Sequence, residues 1–328
     1  MKNQFDNKII AISGGSGSWG NELIKQLLET DVKEIRSLAR GEYRQVLLQR
    51  KFNDPRLKII IGDVRDYGKV DSTCRKADIV FHLSALKHIP VAEEFPYECI
   101  KTNINGTRNI IRASIANKVK VVIDVSSDKA CLPINLYGMT KSVGEKLISN
   151  ASKLESDTKF MVIRGGNVLG SNGSVIELWI DQIKRFHRIT LTDKKMTRYF
   201  LTLPEAIKLL FTAVASNING GLFVMRMPSC KIIDMAKVVI DNYARENVIE
   251  IEEIGIRQGE KLDELLISKH EALNTFIYDN NYYLIMNKPT DHVLLNYRRA
   301  DFEEYSSKDK LMDEKKIEEL LKKGGYLK

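Results

Sequence analysis

The sequence contains no uninterrupted apolar run of about 18 residues, the length that reads as a membrane-spanning helix. A transmembrane span is therefore not expected, and integral membrane association is excluded at this level. Its four cysteines, Cys74, Cys99, Cys131 and Cys230, lie far apart, with no Cys-x-x-Cys pair or Cys/His cluster. That spacing argues against a disulfide framework or a structural metal, so a reducing, cytoplasmic setting is the expectation. The apolar stretch Ile9–Ile12 is too short for a signal-peptide core. There is no internal repeat and no low-complexity tract. Basic residues are scattered rather than interleaved with aromatics, which argues against nucleic-acid binding. Acidic residues are outnumbered: 51 Lys+Arg face 43 Asp+Glu, a net +8. That balance suits an anionic ligand without requiring one.

What is present points to one large α/β domain with a smaller lobe. The 328 residues are 43% apolar and 29% charged, enough for a sizeable core. Strand-like runs at Lys8–Ser13, Glu34–Ala39, Leu57–Gly62, Ile79–Ser84, Val119–Ser127 and Phe160–Arg164 are mostly continuous rather than alternating. Strands buried on both faces of a parallel sheet look like this. Helical patterns at Thr102–Ala116 and Tyr137–Ser152 fall between them. Repeated βαβ units predict a Rossmann-type, doubly wound parallel sheet. After residue 170 the rhythm changes. A Gly/Ser/Asn turn at Ser171–Ser174 precedes helices at Val175–Phe186, Thr202–Ser216 and Ile232–Tyr243, a short strand at Leu222–Met225, and a charged helix at Glu314–Lys323.

Gly14, Gly17 and Gly20 sit between the first strand and first helix. Their roles there would be a tight turn, close backbone approach to a pyrophosphate, and close packing of helix and sheet. The free N–H groups of the helix start then face the phosphates. A dinucleotide site is the expectation, with a ligand-free glycine turn as the alternative. The second strand ends in Arg40 with no acid at its tip, which favours NADP(H) over NAD(H) because arginine neutralises a 2′-phosphate. A solvated surface arginine is the other reading. Asp63 and Val64 follow the third strand and face the adenine edge, unless Asp63 merely caps a turn.

Tyr137 and Lys141 are spaced i and i+4, so they share one helix face. The lysine charge favours the tyrosinate, which can take a proton from a carbinol. Just upstream, Ser126, Ser127, Asp128 and Lys129 close the fifth strand, where ligands of such sheets gather. A second acid/base pair exceeds the needs of simple alcohol oxidation and fits an elimination. A capping aspartate and a surface lysine are the plain alternatives.

These residues sit in a series of segments: AISGGSGSWG, GDVRDY, ALKHIPVAEEFPYECIKTNINGTRNII, SSDKACLPINLYGMTK, RGGNVLGSNGSV, KMTRYFLTLPEA, VMRMPSCKIIDMA and GIRQGEKLDELLIS. Through them the chain resembles extended short-chain dehydrogenase/reductases. Most closely it resembles the C5-inverting UDP-N-acetylglucosamine 4,6-dehydratases of bacterial polysaccharide and flagellin sugar biosynthesis. The resemblance implies a tightly bound, recycled NADP and a homo-oligomer. It implies that Tyr137 is the C4-hydroxyl base with Lys141 as its partner, and that Ser127 supplies a hydroxyl. Asp128 would protonate the departing C6 hydroxyl. A neutral Lys129 would remove the C5 proton and later help return one. Ser16, Ser18, Trp19, Ala85 and Lys87 would join the glycines at the cofactor. Lys87, Asn167, Ser174, Arg198, Arg257 and Glu260 would meet the nucleotide sugar, the two arginines at its phosphates. Glu93 and Asn103 fall in the same block. Implied domains are 1–170 for NADP, with 200–220 returning to it, 171–285 mainly for the nucleotide sugar, and a variable tail at 286–328. Gly41, Phe95, Gln258 and Leu83-Ser84 depart from the family pattern. The alternatives are a UDP-hexosamine epimerase, a partial dehydratase releasing a 5,6-alkene, and, more distantly, a non-catalytic nucleotide-bound scaffold.

Overall fold

The computed structural model describes residues 2–170, 173–244 and 247–327. Ser171 and Asn172, part of the expected turn, lie outside the described residues. The first half runs β1 (Ile9–Ser13), α1 (Ser18–Leu28), β2 (Glu34–Ala39), α2 (Glu42–Phe52), β3 (Leu57–Ile61), α3 (Tyr67–Cys74), β4 (Ile79–His82), α4 (Ile89–Glu94), α5 (Pro96–Ile100), α6 (Gly106–Ala116), β5 (Val121–Ser127), α7 (Leu136–Ala151) and β6 (Lys159–Gly165). The second half runs β7 (Asn167–Val168), α8 (Val175–Phe186), β8 (Arg188–Leu191), β9 (Thr197–Leu201), α9 (Leu203–Ser216), β10 (Leu222–Met225), β11 (Ser229–Lys231), α10 (Ile232–Tyr243), β12 (Glu250–Glu253), β13 (Leu265–Ile267), α11 (Lys269–Ala272), β14 (Thr275–Ile277), β15 (Tyr282–Ile285), α12 (Asp291–Asn296), β16 (Tyr305–Ser306) and α13 (Glu314–Lys323).

The central sheet has nine strands in the order β14-β15-β10-β6-β5-β4-β1-β2-β3. The seven from β10 to β3 are parallel, and β15 and β14 close the edge antiparallel. The continuous apolar strands have a direct cause. Successive side chains of a strand point to opposite faces, and here both faces are covered. Ile10, Ile12, Ile123, Met161 and Ile163 pack with Leu23 and Leu27 of α1 and Ile207 and Phe211 of α9. Ala11, Val122, Phe160 and Val162 pack on the other side with Val70, Ile110 and Ile148. Helix α9 starts as its sequence suggests: Thr202 accepts from the Glu205 backbone N–H, and the Glu205 carboxylate accepts from that of Thr202.

A second core lies in the later lobe. Trp179 and Ile183 of α8, Ile189 and Leu191 of β8, and Met235 and Val239 of α10 meet Ile317 and Leu321 of α13. The charged C-terminal helix thus has a stripe that closes this core, and each fully buried Ile or Leu contributes about 1.5–3 kcal/mol. Its start is fixed by Asp313, which accepts from the Lys316 N–H at 2.9 Å. The expected helix at Thr102–Ala116 is split. A π-helical turn at Lys101–Asn105 precedes α6 and leaves Asn103 buried.

Candidate active site

The dinucleotide loop joins β1 to α1. Gly14 has φ +79°, and a Cβ there would stand 2.9 Å from the Ser84 N. A Cβ on Gly20 would lie 2.3 Å from the Gly15 carbonyl oxygen, so the third glycine lets the helix start press on the loop itself. Gly15, not singled out from the sequence, is equally tight: its Cβ would meet Ser37 Oγ at 2.3 Å. Gly17 caps α1 and brings no side chain of its own to the first N–H groups, and the first turn carries no acid. Donors with no competing anion fit a pyrophosphate, so the loop fits a dinucleotide. Ser16 and Ser18 flank Gly17 in this loop. Trp19 packs partly buried between two core clusters and faces Gly165.

Beyond the ends of β2 and β3, Asp63 accepts from Arg65 at 2.6 Å and lies 3.6 Å from Arg40. Burial pushes the Asp63 carboxyl up, but Arg65 and then Arg40 hold it below the usual carboxylate range. Val64 is buried against Gly106, and its carbonyl accepts from the Asn109 side chain. Arg40 is therefore partly neutralised rather than waiting for a phosphate.

The catalytic candidates converge at the carboxyl end of β5. Ser127 Oγ donates to Asp128 Oδ1 at 2.8 Å and accepts from the Lys129 N–H at 3.3 Å, which forms the tight 3₁₀ turn Asp128–Ala130. Tyr137 enters at the first turn of α7. Burial raises the Tyr137 hydroxyl, while Lys141, Ser127 and Lys129 pull it back toward ionisation. Lys141 lies one turn further along, 3.5 Å from Asp124 Oδ2 inside the sheet. Helix α7 is held at its start by Asn135, which accepts from the Gly138 N–H, and by Glu93, which accepts from that of Leu136. Asn103 ties the segment Leu86–Lys87 to α7 by bonds to both backbone groups of Leu86 and to Thr140 Oγ1. Ala85 and Lys87 lie on that segment, beyond the end of β4. Desolvation and the charge of Lys129 lower the Lys87 ammonium.

Two features of this centre were not read from the sequence. Glu264, only 2% exposed, reaches in from the later lobe to 3.6 Å from Lys129 Nζ, opposite Asp128 at 3.1 Å. Burial alone would discharge Lys129, but Asp128 and Glu264 outweigh it and raise the ammonium above its ordinary range. The resting protein therefore holds Lys129 as a cation, which differs from the neutral base that C5 deprotonation needs. Asp124 is the second feature: a carboxylate inside an otherwise apolar strand, a signal present in VVIDVSS but passed over.

The substrate-side candidates separate. Arg198 spends its guanidinium on the carbonyls of Thr197, Lys261 and Leu262 and stands 3.9 Å from Glu264, so it braces the loop that carries Glu264. Glu260 joins Arg257 in a turn, its N–H donating to the Arg257 carbonyl, and Arg257 itself is exposed. Asn135 Nδ2 donates to the Gly259 carbonyl, which pins this loop near α7. Ser174 caps α8 and shares a hydrogen bond with the Tyr326 hydroxyl, and Asn167 sits on β7 beside Phe200.

A Rossmann sheet, a dinucleotide loop and a Tyr/Lys pair beside a Ser-Asp-Lys strand end define an extended short-chain dehydrogenase/reductase-like, NAD(P)-binding protein of the nucleotide-sugar epimerase and dehydratase class. The chain belongs to the family described as polysaccharide biosynthesis protein, which matches residues 10–286. It is 38% identical to a UDP-glucose 4-epimerase of Rickettsia massiliae, over 97% of this chain and 96% of the relative. It is 36% identical to an uncharacterized membrane protein, MJ1061, of Methanocaldococcus jannaschii, over 100% of this chain and 99% of the relative. Among the described residues no helix is long and apolar enough to cross a membrane. The solved structure of Pen from Bacillus thuringiensis is 37% identical with TM-score 0.92, covering 99% of each chain.

One expectation is overturned. NADP(H) was favoured because Arg40 ends β2. The dTDP-glucose 4,6-dehydratase DesIV of Streptomyces venezuelae, which shares this fold at TM-score 0.71 and 18% identity over 77% of this chain and 86% of its own, has NAD bound, as do further structures of the fold. The physical reason lies in Asp63, whose negative charge engages both Arg40 and Arg65 and would oppose a 2′-phosphate.

Proposed function

We propose that this chain is an NAD-dependent enzyme that oxidises the C4 hydroxyl of a UDP-linked hexosamine and then removes the proton at C5. The observation that carries it is the cluster beside Tyr137 in which the buried carboxylates of Asp128 and Glu264 flank the Lys129 ammonium, an acid/base assembly that oxidation at C4 does not need. Tyr137 takes the C4 hydroxyl proton, and Lys141 steadies the tyrosinate. NAD, when bound, supplies the hydride acceptor and donor. The C4 ketone acidifies the neighbouring C5 proton, and the cluster supplies the groups to receive it. The same cluster holds a proton for the departing C6 hydroxyl. Early release of a 5,6-alkene is one product of this branch. Hydride return to C6 with reprotonation at C5 is the other. UDP-N-acetylglucosamine as substrate and assembly into a homo-oligomer rest on the family resemblance.

A second reading is a 4-epimerase, in which the ketone is reduced again at C4. The relatives carrying the name UDP-glucose 4-epimerase, 38% identical over nearly the whole chain, favour it over complete C5-inverting dehydration. It needs Tyr137 and Lys141 alone. Incubation with UDP-N-acetylglucosamine in deuterated water followed by NMR separates the two. Solvent deuterium at C5, or a 5,6-alkene, supports the first reading. A 4-epimer with its 6-hydroxyl and no C5 deuterium replaces it with the second.

A further inference from the structure

Glu264 stands in the catalytic centre without belonging to the catalytic strand. It immediately precedes β13, and β13 pairs antiparallel with β16 from the C-terminal segment. Ser307, just after β16, accepts the Glu264 N–H at 2.9 Å and donates its own N–H to the Glu264 carbonyl at 2.9 Å. Ser307 is itself held by Thr197 Oγ1 at 2.5 Å. The backbone of Glu264 is therefore clamped, and its carboxylate points at Lys129. Both Glu264 Oε2 and Asp128 Oδ2 are buried and find no hydrogen-bond partner among the described residues. Such atoms are costly unless the chemistry uses them.

The charge count makes the arrangement informative. Two carboxylates enclose one ammonium. Arg198 on β9 and Lys261 on the loop before β13 also face Glu264, and Tyr137 on α7 faces Lys129. Burial raises the Glu264 carboxyl, against the pull of Lys129, so it lies nearer to accepting a proton than an exposed glutamate. A lysine held charged by two anions cannot accept the C5 proton until it has given its own away.

We infer that Glu264 is the proton-exchange partner of Lys129, a positioning residue that takes the ammonium proton so that the amine can receive the one from C5. This rests on the C5-deprotonation reading above. The step balances. The Lys129 N–H proton passes to Glu264. The C5–H bond breaks, its proton goes to the Lys129 amine, and its electron pair enters the enolate of the C4 ketone. When that pair expels the C6 hydroxyl, one proton leaves the cluster to form water. The cluster ends with the protons it began with, and no external acid is needed.

The test compares the wild-type holoenzyme with Glu264→Gln and Glu264→Asp, using UDP-N-acetylglucosamine in deuterated water. Two signals are read from one sample: reduced-nicotinamide absorbance for C4 oxidation, and NMR of C5 deuterium. The ratio of C5 exchange to oxidation is expected to fall about 100-fold in Glu264→Gln, the scale of losing an acid/base partner. Glu264→Asp keeps the carboxylate at a longer reach and is expected to lose about tenfold. Because a general loosening of the fold lowers both signals together, the ratio isolates the proton step. Should Glu264→Gln fail to fold by its thermal melt, the aspartate variant carries the test alone. An unchanged ratio in a folded variant, beside a wild type that exchanges at C5, overturns the inference and leaves the proposed function standing. A wild type that oxidises C4 but never exchanges C5 overturns both.

Discussion

Lys141 Nζ stands 3.5 Å from Asp124 Oδ2 beneath the active site, with side chains 3% and 0% exposed. Burial raises the Asp124 carboxyl, and Lys141 works against that rise. Below them His82 lies 3.9 Å from Asp124, bonded to Ser13 Oγ at 2.6 Å and Thr107 Oγ1 at 3.1 Å. Burial and then Lys141 bring the imidazole down to about 3, so it is neutral and this contact is not an ion pair. The ammonium proposed to support the tyrosinate is thus opposed by one carboxylate. In Asp124→Asn that opposition is gone, the positive field at Tyr137 grows, and the tyrosine ionises more readily. The acid limb of the pH–rate profile for C4 oxidation should move to lower pH by about one unit. An unmoved limb would remove Asp124 from the control of Tyr137.

Asp63 makes a prediction about cofactor choice. Its carboxylate engages Arg65 and Arg40. Asp63→Ala releases Arg40, leaves Arg65 paired with Glu98, and removes the anion that opposes a 2′-phosphate. NADP affinity should rise relative to NAD by about tenfold or more, the scale of one charge-assisted contact. Titration calorimetry with the two cofactors reads the ratio directly, and a ratio equal to that of the wild type would locate the discrimination elsewhere.

The glycine loop can be tested without substrate. A Cβ on Gly20 would lie 2.3 Å from the carbonyl oxygen of Gly15, a backbone atom that cannot swing aside. Gly20→Ala must shift the loop whose N–H groups are proposed to hold the pyrophosphate. NAD binding should weaken by at least about tenfold, consistent with a distortion of a kcal/mol or more. Calorimetric binding checks it, with the melting curve as control for folding.

Arg164, 1% exposed, joins Glu145 of α7 at 2.7 Å to Glu271 of α11 at 2.8 Å. Burial alone would raise the Glu271 carboxyl, but the Arg164 bonds and charge bring it down to about 2. A carboxyl depressed on folding stabilises above its unfolded pKa, near 4.5, and loses that contribution as pH falls toward 2. The melting temperature should therefore drop steeply between those values. Glu271→Gln should flatten that part of the curve. Arg164→Ala should destabilise by about 3–5 kcal/mol at neutral pH, because it strands two partly buried carboxylates.

Much of this was readable in the chain. The bounds of β2, α8, β10, α10 and α13 agree with the sequence patterns to the residue. Doubly covered strands are continuous apolar runs, and Thr202, Leu203, Pro204 and Glu205 write out their own helix start. Tyr137, Lys141, Ser127, Asp128 and Lys129 were legible because they cluster within fifteen residues at one strand end. Arg40 misled because a sequence shows a charge without its counter-charge, and Asp63 comes from the next βα unit. Arg198 likewise has partners that its local sequence does not show: it donates to the carbonyls of Lys261 and Leu262 as well as to that of adjacent Thr197.

The sequence by itself determined the parallel sheet, the dinucleotide loop and the Tyr137/Lys141 spacing, since each follows from local periodicity, glycine sterics or a single helical turn. Only the tertiary structure decided the charge states and partners that give those residues their chemistry. Glu264 lies 135 positions beyond Lys129 in the chain and meets it only because β13 is clamped to the C-terminal segment. Proton affinity inside a protein depends on distance and burial in space, and neither is written in the order of residues.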